Sequence, residues 1–307
     1  MDLLRVDVST LAARREPMPE AYARWGGRGL TAAVLTQEVP PTCDPLGPLN
    51  KLILAPGLLA GRGISSAGRI SIGAKSPLTG GIKESNAGGN AASNLVRLGL
   101  GAVIIEGRPE PGRLYLLRIG AQACEFQPAD EYRGLGNYAL AKALLARFGR
   151  NHTLVLLGPA GEMRLTAAGI TLTDVDGNPG RLAARGGLGA VMGAKGLKAI
   201  LIEETREKAA PASKPEALKD AVRQYTNGLR DDYYTSTVFP EIGTPYMVAP
   251  MEKLGALPTR NFSAGSFEDL SELEGQAVRQ IILRRGGQGK TTHACMSGCV
   301  VRCSNIV

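Results

Sequence analysis

The chain has 307 residues, a formal charge of +8, 44% hydrophobic residues, 5% aromatics and a mean hydropathy of -0.04. That length can bury a sizeable core and predicts two domains of a soluble, globular protein. No apolar run approaches the roughly 20 residues that cross a bilayer, and the Lys and Arg residues are dispersed rather than massed with stacking aromatics. Neither a membrane nor a nucleic acid is therefore an expected partner. The excess positive charge suits an anionic cofactor or an acidic redox partner, or serves only as a solvated surface.

The N-terminus carries an acid at position 2 and no long apolar stretch, which argues against a secretory leader. The first two hundred residues then read as short strands separated by glycine turns. Leu3–Val8 and Arg69–Ala74 alternate, and Lys51–Ala55, Ala102–Glu106, Leu114–Ile119, Thr153–Leu157 and Ala199–Ile202 are apolar or β-branched runs of strand length. Helices are expected at Pro19–Trp25, Ala91–Leu98 and Tyr138–Phe148, the last ended by Gly149. The charged Ala/Pro-rich stretch 205–214 reads as a linker. Beyond it, helices are expected at Pro215–Leu229 and Leu270–Leu283, with Phe239–Met247 loop-like. The expected organisation is a β-rich domain at 1–204, a linker at 205–214, and the start of a mainly helical domain at 215–307, an α+β chain.

The segment from His293 to Val307 holds three of the five cysteines, Cys295, Cys299 and Cys303. An odd total with three clustered fits a reducing compartment and metal chemistry better than a disulfide framework. Closely spaced thiolates are the usual ligands of iron–sulfur clusters. Structural zinc prefers pairs two to four residues apart joined by a loop. The bland alternative is one helix, which would put positions i, i+4 and i+8 on one face. Gly289-Lys290-Thr291 mimics the end of a phosphate-binding P-loop, but the required first glycine position is Arg284, so it is rejected.

Forty glycines are the second anomaly. Three glycine-rich segments combine backbone freedom with charge: Gly68–Gly81, Glu84–Asn90 and Arg181–Lys195. Glycine-loop amides can form anion-binding nests, and arginine forks pair phosphate. Together with the cysteines they point to a large phosphorylated cofactor beside an iron–sulfur centre. Glu162 invites an acid–base role, although a Gly-Glu turn also has a purely structural reading. His152, just before a strand, is expected to be exposed.

In order along the chain stand Arg24-Trp-Gly-Gly-Arg-Gly-Leu30, the Lys51–Gly57 strand and turn, Lys75-Ser-Pro-Leu-Thr-Gly80, Gly158-Pro-Ala-Gly-Glu162, and Arg185-Gly-Gly-Leu-Gly-Ala-Val-Met-Gly-Ala-Lys195 followed by Leu197-Lys-Ala-Ile200. This series resembles the tungsten-dependent aldehyde:ferredoxin oxidoreductase family, closely over 1–204 and more loosely to the cysteines. The resemblance implies two β-sheets forming a base for a bis-pyranopterin that chelates tungsten or molybdenum, with magnesium bridging the pterin phosphates. It implies Arg69 as the cation linking pterin and cluster, loop carbonyls near Asn86 and Ala183 at the magnesium, and Gly88 and Gly89 among the cofactor-binding residues. Arg185 with Gly186, Gly187 and Gly189 would lie near the pterin, and Cys295, Cys299 and Cys303 would ligate a 4Fe-4S cluster.

The family opens its cluster motif with Cys-x-x-Cys-x-x-x-Cys. Here Thr292 stands at the first position, so either Cys303 or His293 replaces the missing ligand, or the cluster differs. The spacing is also similar to that of radical S-adenosylmethionine enzymes, whose repeated strand–helix units do not precede it here. The resemblance further implies aldehyde oxidation to a carboxylic acid, ferredoxin as acceptor, a cytoplasmic, anaerobic setting, and a C-terminal half or partner subunit completing the site. The rival readings are a non-catalytic cofactor-binding or assembly module and an iron–sulfur electron-transfer subunit.

Overall fold

A computed structural model describes residues 1–307, which divide into two compact units, Met1–Pro211 and Ala212–Val307. The first unit contains β1 (Asp2–Asp7), β2 (Ala12–Pro17), α1 (Gly27–Glu38), β3 (Leu52–Pro56), β4 (Ile70–Lys75), β5 (Ile82–Ala87), α2 (Ala91–Arg97) and β6 (Leu100–Glu106). There follow β7 (Tyr115–Ile119), β8 (Cys124–Pro128), α3 (Asn137–Phe148), β9 (His152–Leu156), α4 (Pro159–Glu162), β10 (Ile170–Leu172), β11 (Arg181–Ala183), α5 (Leu188–Ala194) and β12 (Leu197–Glu203). They build two six-stranded sheets, ordered β2-β1-β6-β3-β4-β5 and β8-β7-β12-β9-β10-β11. Adding six to each strand number of the first sheet generates the second. The pairing repeats too: β1/β6 and β7/β12 are parallel, and every other neighbouring pair is antiparallel. Helices α1 and α3 occupy equivalent places in the two halves, as do α2 and α5. The first unit is thus a duplicated motif.

Burial explains the layering. Strands β3 and β4 are buried along their whole length, because both faces of their sheet are covered. On the outer face Leu30, Val34 and Leu35 of α1 pack against Ile53, Ala102 and Ile104. Leu140 and Leu144 of α3 cover Leu154, Leu156 and Leu201 on the outer face of the second sheet. Between the sheets, Leu54, Ile72, Val103, Leu117, Val155 and Ile200 meet Leu95 of α2 and Val191 and Met192 of α5. Each such aliphatic contributes about 1.5–3 kcal/mol when fully buried. The approach of α1 is close: a Cβ on Gly73 of β4 would lie 2.6 Å from Cβ of Thr31.

The helix expected at Pro19–Trp25 is a series of turns, and the true helix begins at Gly27, behind the glycines that hid it. Its last residue, Glu38, anchors it to the sheet. Arg5 donates to both Glu38 carboxylate oxygens at 2.8 Å, and the Tyr22 hydroxyl donates at 2.9 Å. Burial pushes the Glu38 carboxyl up, but these bonds from Arg5 and Tyr22 outweigh it and hold the group at about 2. A lowered carboxyl pKa stabilises the fold above its ordinary value of 4.5, and that contribution is lost as pH falls toward 2. In urea titrations between pH 5 and 2.5, the native protein is expected to lose stability more steeply than Glu38→Gln. Parallel curves would show that Glu38 is not the acid-sensitive anchor.

The second unit contains α6 (Pro215–Asp231), α7 (Phe239–Ile242), α8 (Val248–Lys253), α9 (Gly275–Arg285), β13 (Lys290–His293) and β14 (Ser304–Ile306). The loop expected at Phe239–Met247 is instead two short helical turns, broken where Gly243 takes φ +85°. The helix expected from Leu270 starts at Gly275. No helix in the chain is long and apolar enough to cross a membrane.

Candidate functional site

Strand β5 ends the first sheet and β11 ends the second, and these equivalent edges face one another across a cleft of about 720 Å³. Its lining includes Arg28, Arg69, Lys83, Glu84, Ser85, Asn86 and Arg185, with Ile82 and Leu182 as apolar wall. Four cations and one carboxylate make it an anion-attracting site. The Arg69 guanidinium donates through Nε to Asn86 Oδ1 and through Nη2 to the Asn86 carbonyl at 3.2 Å. Arg185 donates its backbone N–H to Ser85 Oγ at 3.3 Å, tying the exit of β11 to β5. Arg28 meets Glu84 at 3.3 Å. The structure therefore gathers Arg69, Asn86 and Arg185 at one cleft, with Ala183 on the adjoining strand end. Lys83 lies in none of the segments singled out from the sequence, and Arg28, Glu84 and Ser85 lie in such segments without a role of their own. The alternating polar pattern of Lys83, Ser85 and Glu84, Asn86 in an edge strand is the signal that could have found them.

The glycines serve differently. Gly89 has φ +92°, and a Cβ there would lie 2.4 Å from the Thr173 carbonyl oxygen. Beside it, Gly88 is buried. Gly187 and Gly189 are buried against the backbone of Thr166, Ala168 and Gly169. Gly186 backs onto the Lys83 side chain, and its carbonyl accepts from the buried Ser76 hydroxyl at 2.7 Å. Ser76 Oγ in turn accepts from the N–H groups of Leu78 and Thr79 at 3.2 and 3.1 Å, which explains the Lys-Ser-Pro-Leu-Thr-Gly turn as a buttress under the 185–187 loop. Two cations of these segments, Lys75 and Lys195, are spent internally. Lys75 Nζ donates to the carbonyls of Pro41 and Cys43. Lys195 Nζ donates to the carbonyl of Gly107 at 2.7 Å, and burial lowers its pKa to about 8.

Glu162 is a counter-ion, pairing with the fully buried ammonium of Lys198. His152 is half-buried rather than exposed, and burial pushes its pKa down.

In the second unit the cysteine segment is not a helix. Gly298 takes φ +78° and Arg302 φ +48°, and the chain turns between β13 and β14. A bridge joins His293 to Cys303, whose carbonyl accepts from both the N–H and the hydroxyl of Thr244 at 2.8 Å. His293 and Cys299 are buried, and Cys295 and Cys303 are half-buried. The thiols are the right donors for iron, but no group of three metal-ligating side chains is assembled.

Residues 3–204 match the family model of the aldehyde ferredoxin oxidoreductase N-terminal domain, and residues 220–307 that of its domains 2 and 3. The chain is 36% identical over 300 residues to a tungsten-containing aldehyde ferredoxin oxidoreductase of Thermococcus kodakarensis, covering 96% of this chain and 47% of that protein. The counterpart of Pyrococcus furiosus is 35% identical over the same span. A Pyrococcus furiosus aliphatic sulfonate oxidoreductase, WOR-like subunit, is 28% identical over 260 residues, 80% of this chain and 39% of that one. Among solved structures, the active-site complex of benzoyl coenzyme A reductase with 1,5-dienoyl-CoA superposes with TM-score 0.79 and 25% identity, over 100% of this chain and 46% of that chain. The chain spans about half the length of the curated relatives it matches. It belongs to the aldehyde ferredoxin oxidoreductase family.

Proposed function

We propose that the first unit is the base that holds a tungsten (or molybdenum) bis-pyranopterin, within an oxidoreductase that converts aldehydes to carboxylic acids and passes electrons to ferredoxin. The observation that carries this reading is the cation-lined cleft between β5 and β11, equivalent edges of a duplicated fold. When bound, the metallopterin supplies the two-electron redox chemistry, and the protein supplies position and electrostatics. Arg69, Lys83 and Arg185 are the phosphate-binding side chains in this proposal, because guanidinium and ammonium groups pair phosphate with charge-assisted bonds. The carbonyls near Asn86 and Ala183 suit a hard magnesium ion beside those phosphates. Asn86 holds the Arg69 side chain in place, and Glu84 does the same for Arg28. Gly88, Gly89, Gly186, Gly187 and Gly189 act by letting the surrounding loops pack closely.

Cys295, Cys299 and Cys303 are the proposed ligands of a 4Fe-4S cluster, with His293 the alternative where a further ligand is required. Ferredoxin is the proposed acceptor, and a C-terminal half or a partner subunit completes the substrate cavity. The setting is a cytoplasmic, anaerobic one.

The test is metal and pterin analysis of protein purified anaerobically. Tungsten or molybdenum with pterin is expected in the native protein. The double variant Arg69→Glu, Arg185→Glu is expected to retain about a tenth of the pterin or less, through lost charge-assisted pairing, while its far-ultraviolet circular dichroism is unchanged. Equal pterin in both proteins would remove the cleft from the function.

A further inference from the structure

The duplication lets the two halves of the first unit be compared residue by residue. Helices α1 and α3 each have 12 residues and begin at Gly27 and Asn137. In the sheets beneath them, Ala55 pairs with Ser71 in one half and Leu156 pairs with Thr171 in the other. Ser71 therefore corresponds to Thr171, and Gly57, two residues after Ala55, corresponds to Gly158. The same three positions meet in both halves. In the second, Asn137 Nδ2 donates to Thr171 Oγ1 at 2.7 Å, and a Cβ on Gly158 would lie 3.4 Å from Asn137 Oδ1. In the first, a Cβ on Gly27 would lie 3.4 Å from Ser71 Oγ and 3.7 Å from Gly57 Cα. Gly27 sends no side chain into the space that the Asn137 amide fills. Ser71 is only 7% exposed, and its hydroxyl has no hydrogen-bond partner within the protein.

That hydroxyl faces the start of α1, whose first turn holds no acid and whose N-cap, Gly26, has no side chain to bond the free amides. Gly27 takes φ +50° and Arg28 is helical, an alternation that turns successive N–H groups toward one point. The helix dipole adds positive potential there. Two guanidinium groups stand close by: Arg28 is in this turn, and Arg69 is held by Asn86, the residue opposite Ser71 in β5. Glu84, the single carboxylate lining the cleft, is paired with Arg28. We infer that the start of α1 is an oxyanion subsite of the cleft, where the amides of Gly27–Gly29 and the Ser71 hydroxyl hold a phosphate-like group. The equivalent place in the second half is closed by Asn137, so the duplicated base binds asymmetrically. The inference rests on the reading of the cleft as a phosphate-binding site. Its ligand is a phosphoryl group of the pterin cofactor or a free oxyanion, since both offer the same acceptor oxygens.

Gly27→Asn gives the first half the side chain that closes the second, and asparagine tolerates a positive φ. The test titrates inorganic phosphate into cofactor-free protein, followed by phosphorus nuclear magnetic resonance. Gly27→Asn and Ser71→Ala are each expected to weaken phosphate binding about tenfold, the value of a hydrogen bond to a charged group. Ser71→Ala leaves the backbone unstrained and carries the test if Gly27→Asn does not fold. Asn137→Ala is expected to lower the unfolding temperature and leave phosphate affinity unchanged. Equal affinity in the native protein and both first-half variants would overturn the inference. So would equal weakening by Asn137→Ala, which would mark a general loosening of the fold. Anaerobically purified, pterin-loaded protein separates the two sources, and either result supports the subsite. If a cofactor phosphoryl group fills it, loaded native protein takes up no phosphate there and Gly27→Asn retains less pterin. If a free oxyanion does, loaded protein still binds phosphate in a Gly27-dependent way and pterin content is equal. Pterin in the native protein, with phosphate binding indifferent to Gly27 and Ser71, defeats the subsite alone. Gly27-dependent phosphate binding in a protein that never carries pterin defeats the cofactor reading alone.

Discussion

Replacing Glu162 with alanine is expected to remove about 3–5 kcal/mol from the unfolding free energy, a large fraction of what a domain has. The Lys198 side chain is fully buried, and its ammonium donates to the carbonyls of Leu135 and Leu157 at 2.9 and 2.8 Å and to the Glu162 carboxylate. Glu162 also accepts from the Gly134 N–H at 3.0 Å, so one carboxylate ties α4, β12 and the turn before α3 together. Burial pushes the Lys198 pKa down, and Glu162 opposes that. Without the carboxylate, the buried ammonium has no counter-charge.

The folded variant prefers neutral lysine, so the unfolded chain binds more protons and the deficit shrinks as pH rises. Lys198→Met in the Glu162→Gln background is expected to recover most of the loss, because two well-packed neutral side chains replace a broken pair. Chemical denaturation of the four proteins at pH 7 and pH 9.5 measures all of this. A loss below about 1 kcal/mol for Glu162→Ala would mean that water reaches the site and screens it.

This pair marks where sequence reading reaches its limit. The motif Gly158–Glu162 is conspicuous as a string, and an isolated glutamate in a glycine turn reads equally as acid catalyst or as structure. Only the fold brings Lys198, thirty-six positions later, against it. The strands legible beforehand, such as Lys51–Ala55 and Ala102–Glu106, are those buried on both faces, where composition carries the signal. Of the five missed in the first unit, β2, β5, β8 and β11 are edges, and β10 is an interior strand of only three residues. Strand β2 reads Ala-Ala-Arg-Arg-Glu-Pro and is largely solvated, as an edge strand protected by charge must be. Strands β5 and β11 were missed because they line the cleft, and polar residues there replace the apolar alternation that marks a strand. The duplication is invisible for the same reason, since equivalent strands such as Ile-Lys-Glu-Ser-Asn-Ala and Arg-Leu-Ala share a place in the fold rather than a pattern. Arg69, Asn86 and Arg185 came from motif resemblance, and the structure gathers them at one cleft. What the resemblance does not separate is a residue that faces the cofactor from one that supports the wall behind it.

Gly187→Ala draws that distinction. Gly187 has φ +70°, and a Cβ there would lie 2.0 Å from the Thr166 carbonyl oxygen and 3.0 Å from Pro77 Cγ. Both obstacles are stiff, one being backbone and the other a ring. The left-handed conformation alone costs an L-residue about 1–2 kcal/mol, and overpacking adds about 1–3 kcal/mol. The substitution is expected to destabilise cofactor-free protein by about 2–4 kcal/mol. Gly189→Ala meets the Gly169 carbonyl oxygen at 2.3 Å without a positive φ and is expected to cost somewhat less. Gly81→Ala, in the neighbouring turn and with nothing within 4 Å of the added carbon, is the control and is expected to be neutral. Thermal unfolding of the cofactor-free proteins separates the two roles. A glycine needed only for approach to the pterin would leave that midpoint untouched and lower cofactor content alone. One that closes the wall between the KSPLTG turn and the α5 loop lowers the midpoint before any cofactor binds, and any loss of cofactor then follows from the misplaced Arg185 beside it.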